Sequence, residues 1–248
     1  MKEKIISEKT LLLKTFFAFV FFIGAFAIGV YAWKKLRNEE KVGGVQKTLR
    51  KGLSTNEKIF SGLFSDDRLV KTYPVSEAVK RVRVNGNDGL RTALDSADWR
   101  LHVVKENGDT LSFTLDQIKA LPKTNIVFDF KCIEGWSQKT WWSGVKFSDF
   151  VNYYHLNDEV KLNYAGLATP DKQYYVGIDM PSMVQPQTLL CYEMNGKPLP
   201  LNQGYPLRLI IPVKYGIKHL KRIGTIYFSD QKPPDFWAER GYDYYAGH

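Results

Sequence analysis

Between Thr15 and Trp33 the chain reads "TFFAFVFFIGAFAIGVYAW", 19 residues without a charge. No other feature narrows the possible folds as much, because as a helix this run spans roughly 28 Å, close to the hydrocarbon core of a bilayer. Lys14 marks one end and Tyr31, Trp33, Lys34 and Lys35 mark the other, where snorkelling lysines and interfacial aromatics belong. Small residues around Ala25 and Ala27 suit a signal-peptide cleavage site, but the apolar centre of a signal is shorter, about 7–15 residues. The run is therefore read as an uncleaved anchor. It divides the chain into a flank (1–14), a transmembrane anchor (15–33), a polar tether (34–70) and a globular part (71–248).

The anchor also accounts for the net charge of +9. Residues 1–51 hold eleven Lys/Arg against four Asp/Glu, and the remainder holds 24 against 22. The surplus flanks the membrane, so a nucleic-acid role loses its main support. Four basic residues precede the span and seven follow it before Gly52; counted alone, this keeps the globular part in the cytoplasm. "NEEKVGGVQKTLRKGLSTNEK" (Asn38 to Lys58) reads as a tether with one short helix.

The globular part alternates. "WRLHVVKENGDTLSFT" is two runs of period two around Asn107-Gly108, a strong hairpin signal. "TLDQIKALP" follows as a short helix, with Thr114 and Gln117 spaced as a capping box. "NIVFDFKC" is a strand that delivers Cys132 at its end, and "KFSDFVNYY" is a helix. "VKLNYAG", "QYYVGI", "TLLCYEMNGKPL", "PLRLIIP" and "GTIYFS" are further strands. Strands in hairpins with short helices predict an α+β domain of mixed sheets.

Chemistry-bearing residues are few. Cys132 and Cys191 are the two cysteines, too few for a disulfide scaffold. His102, His155, His219 and His248 are scattered, with no CxxC or HExxH, which disfavours zinc. The chain has no GxSxG, P-loop or GxGxxG. His102 alternates within a hairpin strand and reads as a packing or surface residue, and Cys191 in "TLLCYEM" as a buried inert thiol. Trp136, Trp141 and Trp142 either shape a pocket or pack the core, at least one of them the core. In "NQGYPLRLIIPVKYGIKHLKRIGTIYF", Arg208, Lys214, Lys218, Lys221 and Arg222 lie beside Gly204 and Gly216, a setting that suits a phosphate or, for any single lysine, a solvated face.

"KCIEGWS" around Cys132, followed downstream by "GKPLPLNQGYPLRLIIPVKYGIKHLKRI" and "QKPPDFW", resembles the catalytic domain of the sulfite oxidase family of molybdenum enzymes. The likeness runs from about Trp99 to the end, with Arg81 to Leu90 as a weaker extension. It implies a sulfite-oxidase-type fold and a molybdenum–molybdopterin cofactor whose metal takes Cys132 as its protein ligand. It implies further that Arg208 and Lys218 bind the pterin phosphate with the Gly216-Ile217-Lys218 backbone alongside, and that Gln203 contacts the cofactor. Arg83 and Asn85 would lie at the metal. Gln203 stands where the family has His or Asn, and a Thr or Ser expected near the end of the "VKLNYAG" strand is not evident there, Gly166 lying closest.

With no CxxCH haem site in the sequence, the chain is similar to the bacterial subunits that reduce methionine sulfoxide in proteins. That likeness implies two-electron oxygen-atom transfer on a sulfoxide or similar S/N-oxide, a membrane haem b electron partner, and a monomeric catalytic domain tethered to the bacterial inner membrane on its periplasmic side. A twin-arginine signal, usual for such exported enzymes, is absent from the sequence. The alternatives are a sulfite-oxidising enzyme of the same family and a non-catalytic scaffold that keeps the fold.

Overall fold

The structure is a computed structural model that describes residues 7–63, 69–95 and 97–248. The chain divides into two compact units, residues 1–52 and 53–248.

In the first unit the apolar run lies within one helix, α1 (Glu8–Arg37). Ser7 caps it by accepting the Thr10 N–H, and Lys34, Lys35 and Arg37 occupy its last turn, where the helix dipole favours cations. It is long and apolar enough to cross a membrane. The polar stretch after it is more structured than a plain tether. β1 (Lys41–Val42) and β2 (Val45–Gln46) form a hairpin whose turn residues Gly43 and Gly44 both have positive φ. α2 (Lys47–Gly62) then starts where the Glu39 carboxylate accepts from both the backbone N–H and the hydroxyl of Thr48. That contact, made across the hairpin, is invisible to composition. The end of the expected tether, residues 64–68, lies outside the described residues.

The second unit holds two five-stranded sheets. β3 (Leu101–Val104) and β4 (Thr110–Phe113) are the expected hairpin around Asn107-Gly108, and α3 (Leu115–Lys119) carries the expected Thr114–Gln117 capping box. β5 (Lys123–Lys131) and β6 (Ser137–Lys146) form a long antiparallel hairpin, followed by α4 (Phe147–Tyr153). β7 (Tyr164–Ala168) and β8 (Tyr175–Asp179) pair antiparallel, and α5 (Met180–Met183) closes the connection to β9 (Leu189–Met194). β10 (Lys197–Pro198), β11 (Arg208–Ile210) and β12 (Thr225–Ser229) complete the set.

The strand order is β10-β9-β6-β5 in one sheet, with β11 also on β9, and β4-β3-β12-β7-β8 in the other. All pairs are antiparallel except β3 with β12. This is the expected α+β architecture of mixed sheets and short helices. β6 was not among the strands expected from the sequence: "SQKTWWSGVK" is buried on both faces at its C-terminal half, so its pattern does not alternate cleanly. The main apolar core joins Leu101, Val103, Phe147, Phe150, Leu167, Leu209 and Ile226; a smaller cluster gathers Ile126, Phe128, Trp142, Leu189 and Cys191.

Gly166 sits in β7 against the ring of Tyr227, where an added Cβ would lie 2.1 Å from the ring carbon Cζ. Gly166→Ser should destabilise the fold by about 1–3 kcal/mol, the usual cost of overpacking. In chemical denaturation, the pair Gly166→Ser with Tyr227→Ala should recover part of that loss.

Candidate functional site

The segment "KCIEGWS" is the tip of the β5–β6 hairpin. Lys131 pairs with Ser137, and one step beyond the Cys132 N–H donates to Trp136 O at 2.9 Å. Ile133, Glu134 and Gly135 make a three-residue loop closed by Gly135 N–H on Cys132 O at 3.0 Å. Such a loop needs its last residue in the left-handed region, and Gly135 has φ +87°. The spacing between cysteine and tryptophan is therefore set by hairpin geometry.

The pleat decides what faces the same way. Opposed pairs Ile126–Trp142, Phe128–Thr140 and Phe130–Gln138 share one face, and Cys132 extends that row. Trp142 is turned to this face and Trp141, one residue before, to the other, so only Trp142 reaches the cavity while Trp141 packs beneath Gly196. Across the sheet Gly144 opposes Cys191, and Cys191 opposes Arg208. Arg208 thereby lies over the Trp142 ring, 4.6 Å from its centroid.

A cleft open to solvent lies over this face. Cys132, Phe130 and Trp142 line it from the sheet, Gln203 and Arg208 from the approach to β11, and Gly216, Ile217, His219 and Lys221 from the following turn. Arg83, Asn85, Gly86 and Asp88 line it from a stretch without regular secondary structure, and Tyr174, Trp237 and Tyr242 complete the wall.

Of the residues expected from the sequence, Cys132, Arg208, Gly216, Ile217, Gln203, Asn85 and Arg83 are brought together here. Cys132 is buried, and the Asn85 side-chain amide donates to its Sγ at 3.5 Å. The Arg208 guanidinium, 2% exposed, donates to Gln203 O at 3.1 Å, Gln203 Oε1 at 2.8 Å and His219 O at 3.4 Å. Gln203 also donates to Arg83 O at 3.2 Å, so the replacement for the family's His or Asn is a bridging amide. Gly216 packs its backbone on Phe130, where a Cβ would stand 2.9 Å from the ring.

The Lys218 side chain goes elsewhere. It does not line the cleft; its ammonium is buried against Asp235 Oδ2 at 2.5 Å and Gly177 O at 2.9 Å. The 3₁₀ turn over Gly216–Lys218 places the backbone of its first two residues at the cavity and rotates the third side chain behind them. Lys218 is thus a strut under the turn rather than a direct contact in the cleft. The lysine that does line the cleft is Lys221, three residues on. Its charge is legible in the sequence but not its role; Asp88, Tyr174, His219, Trp237 and Tyr242 were missed as site residues, although Asp88, His219 and Trp237 lie within the stretches that carry the resemblance.

Burial pushes Arg208 down to about 10, which leaves it charged at neutral pH. Burial, with Arg208 adding repulsion, pushes Lys221 down to about 8. His219, buried and beside Arg208, is pushed down to about 3 and stays neutral. Its Nδ1 receives the Ile211 N–H at 3.4 Å and Nε2 faces Lys214 O at 3.1 Å, which puts the proton on Nε2. Glu134 is held below its usual range by the Asn85 amide first and the Trp136 indole N–H second. Cys191 is buried in β9 and pushed up to about 12, as an inert thiol should be; it and Cys132 are free of disulfides. His102 is a surface residue bonded to Ser112.

The donor set can be tested against a thiolate-held, phosphate-bearing cofactor. Arg208 Nε is buried with no hydrogen-bond partner among the described residues, a costly state for a guanidinium unless a ligand completes it. No group of three or more His, Cys, Asp or Glu occurs among the described residues, so a metal here would take Cys132 as a lone soft ligand. The residues fit such a group.

Residues 89–237 match the family described as "Oxidoreductase molybdopterin binding domain". A relative in Azospira oryzae, provisionally named protein-methionine-sulfoxide reductase subunit YedZ1, is 33% identical over 195 residues, covering 77% of this chain and 73% of the relative. The protein-methionine-sulfoxide reductase catalytic subunit MsrP of Xanthomonas axonopodis pv. citri is 30% identical over 159 residues, 59% of this chain. The match spans about half (49%) of that relative's length. Among solved structures, the sulfane dehydrogenase SoxCD of Paracoccus pantotrophus superposes with a TM-score of 0.51 at 19% identity, covering 57% of this chain and 40% of that one; this likeness concerns the fold alone.

If Lys218 is a strut, its loss strands a buried carboxylate. Lys218→Met should destabilise the protein by about 3–5 kcal/mol in denaturant unfolding without cofactor. Exchanging both partners, Lys218→Met with Asp235→Leu, should restore most of it. A residue serving only a bound phosphate would leave cofactor-free stability nearly unchanged.

Proposed function

The chain belongs to the oxidoreductase molybdopterin binding domain family and is a molybdopterin-dependent oxidoreductase. From that premise we propose that it is a membrane-anchored reductase of methionine sulfoxide in proteins, with Cys132 as the protein ligand to molybdenum. The carrying observation is the pairing, in one cleft, of a buried thiol with a buried guanidinium whose Nε is unpartnered. The substrate reading is drawn from the names of the two relatives.

Molybdenum–molybdopterin, when bound, supplies two-electron oxygen-atom transfer, so that a sulfoxide, two electrons and two protons give a thioether and water. The chain's own residues bind and orient. Arg208 and Lys221 would offer charge-assisted hydrogen bonds to the pterin phosphate, and the Gly216–Ile217 backbone would hold the same group. Gln203 holds Arg208 in place and ties it to the Arg83 carbonyl. Asn85 directs its amide at the ligand sulfur, and hydrogen bonding of this kind tunes a metal–thiolate site. Trp136, Trp237 and Tyr242 present aromatic surface to the thioether sulfur, a favourable contact, and keep water from it. Tyr174 donates to Ile217 O, and burial raises its pKa, so it stays protonated as a wall residue.

α1 serves as the single-pass anchor, in the bacterial inner membrane, with the catalytic domain on the periplasmic side. Tethering raises the local concentration of a membrane haem b electron partner. The basic last turn of α1 opposes that orientation, and a C-terminal alkaline phosphatase fusion, active only when exported, tests it.

Elemental analysis of the full chain, made in a host that synthesises the cofactor, should find about one molybdenum per protein, lost or altered in Cys132→Ser. Well-folded protein without molybdenum would leave a tethered scaffold instead. Reduction of sulfoxides in an oxidised protein, set beside oxidation of sulfite, then separates the two enzymatic directions. Trp237→Ala should raise KM for the sulfoxide by up to about tenfold with kcat less affected, given ~0.3–1.5 kcal/mol for a sulfur–aromatic contact.

A further inference from the structure

Residues 79–90 cross one side of the cleft with no helix or strand. Such a stretch must satisfy its backbone groups by other means. Four side chains do much of this from outside. Asn195 donates to the Val79 and Lys80 carbonyls, both at 3.1 Å, and Gln138 accepts the Arg83 N–H at 2.9 Å. Gln203 donates to Arg83 O at 3.2 Å, and the Lys221 ammonium donates to Asn85 O at 2.6 Å and Gly86 O at 3.1 Å. The Lys221 bonds are the ones nearest the business end, because the Asn85 whose carbonyl they hold is the residue whose amide meets Cys132.

We propose that Lys221 is a positioning residue: its ammonium fastens the 79–90 strap across the cleft and so holds the Asn85 amide at the Cys132 sulfur. Two of its three N–H groups go to the strap, and the third remains for an anionic group in the cleft that Lys221 and Arg208 both line. Lys221 thus joins the basic end of the site to the thiol end through one side chain. Charged groups adjoining it are Arg208, which repels it, and Asp88, which attracts it. The Arg83–Glu134 approach at 4.0 Å is half-exposed on both sides and adds little to the strap. Asn85 matters here because of Cys132, so the proposal rests on Cys132 being the metal ligand for its consequence, though not for its geometry.

The test uses the full chain, in detergent, made without and with the cofactor pathway. In cofactor-free protein, trypsin cuts at Lys80, Arg81, Arg83 and Arg91 as the strap opens, and iodoacetamide labels Cys132, with buried Cys191 as the internal control. Lys221→Met should speed strap cleavage and Cys132 labelling at least about tenfold, and Lys221→Arg, which keeps the donors, should restore both. Asn85→Ala should raise labelling without faster cleavage. In loaded protein, the Mo(V) paramagnetic resonance spectrum should shift in Lys221→Met and return in Lys221→Arg. Unchanged cleavage and labelling in Lys221→Met would overturn the proposal, as would loss in Lys221→Arg equal to that in Lys221→Met. If the strap responds as expected while the parent carries no molybdenum, the cofactor reading fails and the fastening role stands.

Discussion

A guanidinium almost wholly removed from water has to be surrounded by partners, and Arg208 imposes that requirement on everything near it. Trp142 lies under its face, Gln203 and His219 supply carbonyl and amide oxygens, and β9 fixes its height through the Cys191 pairing. Its Nε has no partner among the described residues, and Arg208 lines a cleft where an anion can complete it. His219 stays neutral first because it is buried, and then because a second cation beside Arg208 is unfavourable. Lys221 is weakened as a base for the same two reasons, burial and Arg208. Burial therefore sets the charge states in the cleft first, and the Arg208 charge adds to it.

Two ion pairs whose lysines are fully buried, Lys218 with Asp235 and Lys214 with Asp179, brace the turn between β11 and β12. Lys214 also lies over the ring of Tyr245, and Lys218 over that of Tyr244, which ties residues 244–246 to the back of the same turn. The cleft wall at Gly216–Ile217 is thus stiffened from behind. A rigid wall suits a cofactor whose orientation decides its reactivity.

Much of this was legible from the residues in order. The 19-residue apolar run could only be a helix or a signal, because uncharged chain of that length has few other solutions. Asn107-Gly108 and the Thr114–Gln117 capping box declared themselves because their signals are local: turn chemistry and a side chain three residues from its partner. The strand that delivers Cys132 was read correctly. β6 was not, since a strand buried on both faces loses its alternation. The structure of the tether was missed because Glu39 caps α2 from across a hairpin.

By itself the sequence determined which residue types were available to the site, the order of the elements, and that Cys132 would stand at a strand's end with basic residues following a later strand. Only the tertiary structure decided which of those residues face one another. Lys218 and Lys221 sit in the same basic run and look equivalent on paper, yet a single 3₁₀ turn sends one back to Asp235 and the other into the cleft. Trp141 and Trp142 are adjacent, and the pleat points them to opposite faces. Tyr242, Tyr174 and Asp88 reach the cleft from segments far apart in the chain. The physical reason is range: turns, caps and periodicity act over a few residues, whereas a side chain's direction is set by what packs behind it.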